Sequence, residues 1–193
     1  KVKKYLHWLK THRDFDGDGL LSIISPFESG MDFKPSFDSV LGFTGGSVRW
    51  QLFFRAILVD LRNFYRRYKL RKIKRAKKFL VKEVNVNTAY AKDLLAMALL
   101  CSRMGEEQES AMYRTQAKAV TEAMRKGMFD EQDLAFYDVL SGTNAPLKVI
   151  TPTILFPMAL PDIPLELCER MVNRHLVESE EFHTPFPLPS VGV

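Results

Sequence analysis

The sequence lacks several features that define common classes of protein. No run of about 18 apolar residues occurs anywhere in the 193 residues, so we expect no transmembrane helix and no membrane partner. The basic start at positions 1–4 leads into Tyr5 and Trp8 rather than a long apolar core, so we expect no signal peptide. The nucleophile motif G-x-S-x-G and phosphate-binding glycine loops are also missing, which removes the usual sequence signs of serine hydrolases and nucleotide-binding proteins.

Cysteine and histidine are scarce and scattered. Cys101 and Cys168 are the two cysteines, and they lie in separate helical patterns, so they suggest neither a disulfide framework nor a zinc site. We interpret both as buried apolar side chains. The four histidines have no metal-ligand spacing. This usage leaves the compartment open and favours the cytoplasm.

Positive charge is concentrated in one segment of a chain whose net charge is +5. Ten Lys or Arg residues and no acid lie between Arg62 and Lys78, with aromatic residues interleaved. Such a segment can bind phosphate backbones or anionic lipid. On a helical wheel its charges go nearly all round, which argues against a membrane-facing helix. We interpret it as a solvated outer helix, with contact to an acidic partner as the alternative, and we do not expect nucleic acid binding.

Helical periodicity dominates the chain, and no strand ladder of any length is visible. Two patterns, from Asn87 as N-cap to Met104 and from Glu106 to Lys126, are joined so briefly that the sequence predicts an antiparallel hairpin. Antiparallel helix pairs predict an all-α fold of the α/α toroid type. A longer pattern over 48–78 has apolar side chains on one face, namely Phe53, Phe54, Ile57, Leu58 and Leu61.

The stretch from Ser25 to Asp38 organises the rest of the chain. It is bounded by prolines and contains three carboxylates, three phenylalanines and one glycine. A carboxylic acid can protonate a glycosidic oxygen, and aromatic rings lie against the apolar faces of pyranose rings. The combination indicates a sugar site, although a surface loop with chance acids has the same composition.

The run from Asp14 to Asp38 resembles a signature of α-glycosidases in glycoside hydrolase family 63. That family includes the processing α-glucosidase of the endoplasmic reticulum, bacterial relatives and mannosylglycerate hydrolases. The usual signature reads roughly D-G-D-G-L, followed by H-P-W-E-S-G-M-D-N-S-P-x-W-D. Phe27 and Phe37 each replace a Trp of the signature and keep an aromatic stacking face. Phe33 replaces an Asn and so removes a possible hydrogen bond to a sugar hydroxyl. The departures are Ser25 for His, Phe27 for Trp, Phe33 for Asn and Phe37 for Trp, and the matches are Gly17, Asp18, Gly19, Leu20, Pro26, Glu28, Ser29, Gly30, Met31, Asp32 and Asp38.

Weaker similarities continue in the family's order through 86–95, 128–138, 152–156 and 186–191. The resemblance implies an (α/α)6 barrel. A full toroid needs about twelve helices, and at typical helix lengths about six fit in this chain. We therefore expect 1–193 to be roughly the first half of a glycosidase-like catalytic domain, truncated at both ends, with the remainder of the barrel as its partner.

The resemblance implies that Asp32 is the general acid of an inverting hydrolase acting on an α-glucosyl or related α-glycosidic bond. Its pKa would have to be raised, by burial or by a neighbouring carboxylate such as Glu28. Gly30 would permit the loop to turn back without a Cβ penalty. The alternative for Asp32 is to cap the turn that begins near Pro35.

Three further side chains are candidates for substrate binding. Glu28 would hold sugar hydroxyls and Phe27 would stack on a sugar ring, against the alternative of a capping or core role. Lys34 would line the mouth of the site. The substrate would be an oligosaccharide or another glycoside.

An inverting enzyme also needs a second carboxylate, about 6.5–9.5 Å from the acid, to activate water. The resemblance places this base well downstream of the segment matched by Ser190. No glutamate follows Phe182, so we expect the general base to be missing and the 193-residue chain alone to be inactive.

The three acids Asp14, Asp16 and Asp18, followed by Gly19, resemble the opening of an EF-hand calcium loop. The twelfth position, however, is Ser25, where a bidentate Glu is needed. Calcium is therefore a candidate ligand with a tight turn as the alternative, and no cofactor is required.

Two other classes of function compete with the enzyme. One is a non-catalytic helical module that keeps a sugar- or calcium-binding loop. The other is a basic helical protein that binds an acidic partner through residues 62–78. The sequence leaves the sugar, the linkage and the oligomeric state open.

Overall fold

The computed structural model describes residues 1–31, 34–42, 49–66, 69, 79–178 and 181–182. Helices dominate these residues, with short strands between them. In chain order the elements are α1 (Val2–Arg13), β1 (Ser22–Ile23), 3-10 turns at Pro26–Glu28 and Pro35–Phe37, α2 (Arg49–Tyr65), β2 (Val81–Lys82), α3 (Val84–Arg103), α4 (Glu107–Gly127), β3 (Phe129–Asp130), β4 (Ala135–Phe136), β5 (Asp138–Leu140), β6 (Pro146–Leu147), a 3-10 segment Pro152–Ala159, α5 (Leu165–Val172) and a π-turn Asn173–Val177.

Helices α3 and α4 form the predicted hairpin and contribute a large share of the main core. Gly105 has a φ of +79°, a left-handed conformation that glycine adopts without a Cβ penalty, and it ends α3 as predicted. The apolar stripes expected on the two helices are buried against each other. They comprise Tyr90, Leu94, Met97, Ala98 and Cys101 on α3, and Tyr113, Ala117, Val120 and Met124 on α4.

The start of α3 differs from the prediction. The N-cap is Glu83, whose carboxylate accepts a hydrogen bond from the Val86 N–H at 2.8 Å. Asn87 is not the cap but lies one turn inside the helix, fully buried. Its side chain instead binds the backbone of Leu21, in the acidic loop before β1. An Asn side chain that bonds backbone suits a cap or a buried clip equally well, so only the fold distinguishes them.

The expectation of a purely helical fold is confirmed only in part, because the chain also forms two small sheets. Strands β1, β2, β5 and β6 pair in that order, all antiparallel, and β3 pairs with β4. Each strand has two or three residues, too few for a period-two pattern to appear in the sequence. The larger sheet places β1, which precedes the Ser25–Asp38 stretch, beside β2, which precedes α3.

Helix α2 turns its aromatic face away from the rest of the described chain. It packs inward through Ala56, Val59 and Asn63, and the Asn63 amide donates to the Ile24 carbonyl at 2.8 Å. The predicted apolar stripe is on one face, but that face is exposed. Of its predicted members, Phe53, Phe54, Leu58 and Leu61 are exposed and Ile57 is half-buried, and the nearby aromatic residues Trp50, Phe64 and Tyr65 are exposed as well.

The basic segment predicted over 62–78 falls mainly outside the described residues, which include only 62–66 and 69 of it. Its interpretation as a solvated outer helix therefore stays a prediction. None of the helices in the described ranges has the combination of length and apolar character needed to cross a membrane.

Candidate active site

The acid loop, residues 25–38, begins with a compact capped turn. The Ser25 hydroxyl accepts a hydrogen bond from the Phe27 N–H at 3.3 Å and so caps the turn Pro26–Glu28. Gly30 follows with a φ of +68°, a conformation that glycine adopts without a Cβ penalty. Asp32, the predicted general acid, and Phe33 lie outside the described residues, so the role of Asp32 stays a prediction.

The residue before this glycine is anchored to α3. The side-chain amide of Asn85, in the first turn of α3, donates to the Ser29 carbonyl at 3.1 Å. The Ser29 hydroxyl donates to the Pro26 carbonyl at 3.0 Å and accepts from the Met31 N–H at 2.9 Å. Ser29 is buried, and these bonds fix the backbone of the loop at this residue.

A buried ion network anchors the other end. The Lys34 ammonium contacts the Glu83 carboxylate at 2.9 Å and the Asp138 carboxylate at 2.8 Å, and all three side chains are at most 3% exposed. The Ser36 hydroxyl donates to Asp138 at 2.6 Å, and the Val84 N–H donates to it at 2.9 Å. This network joins the acid loop, α3 and β5. Lys34 therefore lies in the interior, with its charge already paired, rather than with an ammonium free at the mouth of the site.

The network contains one cation and two acids, and this imbalance affects its titration. Burial raises the pKa of Glu83, because a charged carboxylate is costly in a medium that excludes water. The Lys34 charge opposes this shift, and the nearby Asp138 charge adds to it. The net direction is upward, so Glu83 takes up a proton more readily than an exposed glutamate.

Glu28 and Phe27 lie on the outer side of the same loop. The Glu28 carboxylate accepts two hydrogen bonds from the Arg13 guanidinium, at 3.1 and 2.5 Å, and one from the Ile24 N–H at 2.9 Å. These contacts tie the end of α1 to the loop. Phe27 is half-buried. The binding of sugar hydroxyls by Glu28 and the stacking by Phe27 stay predictions.

The three aspartates of the calcium hypothesis each have protein partners. Asp14 accepts backbone N–H bonds from residues 17–19, at 2.7 to 3.2 Å, as a tight turn does. The buried Lys82 ammonium contacts Asp16 at 2.8 Å and Asp18 at 2.5 Å. Burial disfavours the ammonium charge, but the hydrogen bonds to the two aspartates outweigh it and raise the pKa of Lys82.

A calcium ion would have to displace these partners, so calcium binding by the three aspartates stays a prediction. Elsewhere in the described ranges, Cys101, Glu106 and Glu109 bring their ligand atoms within 4.8 Å of one another. There too a lysine is present, since the Lys3 ammonium binds both carboxylates. We assign no metal to either cluster.

An open groove of about 540 Å³ lies along α3 and the segment Pro152–Ala159. Asn85 lines this groove and also holds Ser29, so the groove and the acid loop share a residue. Phe156 adds an aromatic ring that is 36% exposed, and Lys92 adds an exposed cation. An aromatic face beside polar donors is a surface on which a sugar ring can rest.

Sequence reasoning did not select Glu83, Asn85 or Asp138, although they hold the loop in place. The one available signal was Lys34 itself, a cation within the acid loop. A lysine in a stretch that becomes buried needs acidic partners. Nothing local indicated which acids these would be, because Glu83 and Asp138 are 49 and 104 residues away.

Comparison with known proteins decides the family. A model of the mannosylglycerate hydrolase MGH1-like glycoside hydrolase domain matches residues 1–193. The chain belongs to this glycoside hydrolase family. The resemblance to family 63 enzymes, stated above for Asp14 to Asp38, is therefore confirmed, and it extends over the whole chain. None of the curated protein sequences compared with this MGH1-like chain matches it.

Solved structures show the fold of this MGH1-like domain. The GH63 mannosylglycerate hydrolase from Thermus thermophilus in complex with glucose superposes with a TM-score of 0.78 at 22% identity, over 97% of this chain and 45% of that one. The same enzyme with Tris and D-glycerate gives 0.76 at 20% identity, over 98% and 51%. The fold is thus of the GH63 toroid type, and the chain spans about half the length of these structures.

Proposed function

We propose that the protein is an inverting glycoside hydrolase that cleaves an α-glucosyl or related α-glycosidic bond, with Asp32 as the general acid. The match of the whole chain to a glycoside hydrolase domain carries this proposal. Two of the structures that resemble this chain are of a mannosylglycerate hydrolase, so a hexose linked to glycerate is the first substrate to test.

The described part of the acid loop supports this role. The residues on either side of 32–33 are linked, because the Lys34 N–H donates to the Met31 carbonyl at 3.2 Å. Ser29 and Lys34 are each held by α3, so the chain that carries Asp32 is tethered at both ends. A general acid needs such a fixed backbone, because proton transfer requires a defined distance to the leaving oxygen.

The reaction requires two carboxyl groups with opposite tasks. The protonated Asp32 gives its proton to the glycosidic oxygen as the bond from that oxygen to the anomeric carbon breaks. A second carboxylate removes a proton from water, whose oxygen bonds to the anomeric carbon on the opposite face. The configuration inverts, and the acid leaves the cycle ionised while the base is protonated. We place this base outside residues 1–193.

The test uses the protein at its full natural length. It is incubated with mannosylglycerate and with simple α-glucosides, and the first anomer released is identified by proton NMR. We expect turnover with the β-anomer formed first, and we expect Asp32→Asn to abolish turnover while leaving substrate binding intact, because the amide cannot donate that proton.

Asp38→Asn is the matched control, since Asp38 is a second carboxylate of the same loop, and its variant should retain activity. Release of the α-anomer would contradict inversion. Full activity of the Asp32→Asn protein would contradict the assignment of the acid. Sugar binding without any turnover in the unmodified full-length protein would favour the non-catalytic module. Turnover by residues 1–193 alone, at the rate of the longer protein, would contradict placing the base outside this chain.

A further inference from the structure

Both tethers of the acid loop end on the same short segment of the chain. Asn85 holds the Ser29 carbonyl at 3.1 Å, and Glu83 holds the Lys34 ammonium at 2.9 Å. Only positions 30–33 lie between the two held residues. The N-cap and first turn of α3 therefore hold the residues on both sides of positions 30–33.

We propose that Lys34, Glu83 and Asp138 form a positioning device that, together with Asn85, sets the location of position 32 relative to α3. This inference rests on the proposed function in its assignment of Asp32 as the acid. The three residues act through the backbone of the loop, so they are positioning residues rather than catalytic ones.

The chemistry of the network favours positioning over simple stabilisation. Burial of an ion pair costs a large desolvation energy, and apolar residues of similar volume are often as stabilising. The charged groups add a constraint on position, because charge-assisted hydrogen bonds require defined distances. The Lys34 ammonium meets one oxygen from the cap of α3 and others from β5, so a shift of the loop lengthens charge-assisted bonds.

Each acid is in turn fixed by the backbone. Glu83 accepts the Val86 N–H at 2.8 Å, and Asp138 accepts the Val84 N–H at 2.9 Å. Neither carboxylate can follow the loop without giving up a bond at the start of α3. The Lys34 end of the loop is therefore bound to side chains that are themselves fixed at the start of α3.

Two variants of the full-length protein test the proposal. Lys34→Met removes the link and leaves two buried acids without their cation. The double variant Lys34→Met/Glu83→Gln removes the same link but restores the charge balance. With Lys34 and both acids the network has one more acid than cations. The double variant keeps that difference, because it removes one cation and one acid. Lys82→Met is the control, because Lys82 is also buried between two acids but does not contact the acid loop.

We expect kcat to fall about 100-fold in both Lys34 variants with KM little changed, the loss that a displacement of about 1 Å can cause. The double variant should regain much of the melting temperature lost by the single variant, yet not its kcat. Lys82→Met should lower the melting temperature and spare kcat. Recovery of kcat together with the melting temperature in the double variant would overturn the proposal, because it would reduce Lys34 to a stabilising residue.

Hydrogen exchange gives a readout that does not depend on activity. The backbone amides at positions 31 and 34 should exchange faster in both Lys34 variants than in the unmodified protein and in Lys82→Met. Unchanged protection would overturn the positioning role even if the unmodified protein hydrolysed no glycoside. If the unmodified protein were inactive but the loop still exchanged faster in the Lys34 variants, the proposed function would be refuted and the positioning role would be supported.

Discussion

The buried amide of Asn87 gives a quantitative test of how the acidic loop is joined to α3. Its side-chain oxygen accepts the Leu21 N–H at 2.7 Å, and its nitrogen donates to the Leu21 and Glu83 carbonyls, each at 2.9 Å. Asn87 is fully buried, so no water can replace these bonds after a truncation. Asn87→Ala should remove all three at once.

The magnitude follows from the number of bonds. At about 1 kcal/mol for each intramolecular hydrogen bond, the three bonds lost in Asn87→Ala amount to about 3 kcal/mol of unfolding free energy. For a protein of this size that corresponds to a fall in melting temperature of roughly 6–12 °C. Asn85→Ala is the matched control, because its side chain makes one half-buried bond and should cost about 1 kcal/mol.

Urea unfolding monitored by circular dichroism measures both variants. We expect the midpoint for Asn87→Ala to fall about three times as far as that for Asn85→Ala, with the slope m unchanged. Equal effects of the two substitutions would show that the Asn87 bonds add nothing beyond an ordinary surface contact. That result would refute the view that the amide joins the two segments.

Three other predictions concern titration, thiol chemistry and metal. The hydrogen bond from Lys148 holds the pKa of Asp130 below its ordinary value of 3.8, so the stability from this carboxylate is present above 3.8 and lost as the pH falls through the lower folded value. Lys148→Met should move the Asp130 titration, followed by carbon-13 NMR, up towards 3.8, and an unmoved midpoint would contradict the pair. Cys101 is buried, and burial raises the pKa of its thiol, so Ellman's reagent should modify the half-buried Cys168 first, and preferential labelling of Cys101 would count against the fold. Calcium and a chelator should each leave the melting temperature unchanged, because the Lys82 ammonium already binds Asp16 and Asp18 and backbone N–H groups already bind Asp14, and a rise with calcium would support the metal site.

Local patterns predicted the parts of the fold that depend on neighbouring residues. The hairpin of α3 and α4 follows from a helical stripe on each side of Gly105, and all of that information lies within about 40 residues. The left-handed turn at Gly30 was likewise readable from one residue type. The family was recognisable because its signature is a contiguous run.

Features that depend on distant pairing were missed or misassigned. Two of the three pairings in the larger sheet, β1 with β2 and β2 with β5, join strands that are tens of residues apart, and each strand is too short to show its own periodicity. Helix α2 has a clear apolar face, but periodicity cannot say whether a face meets the core or the solvent, and in the described chain it is exposed. Asn87 had the residue type of a cap and became a buried clip for the same reason.

The sequence by itself determined that the chain is mainly helical, that it carries a glycosidase-like acid loop, and which family it belongs to. These properties depend on periodicity and on contiguous motifs. Only the tertiary structure decided that Lys34 is buried between Glu83 and Asp138, and that Lys82 is the cation bound by the acidic turn. The energy of a buried charge depends on which partners the fold brings within hydrogen-bond distance, and chain order does not contain those distances.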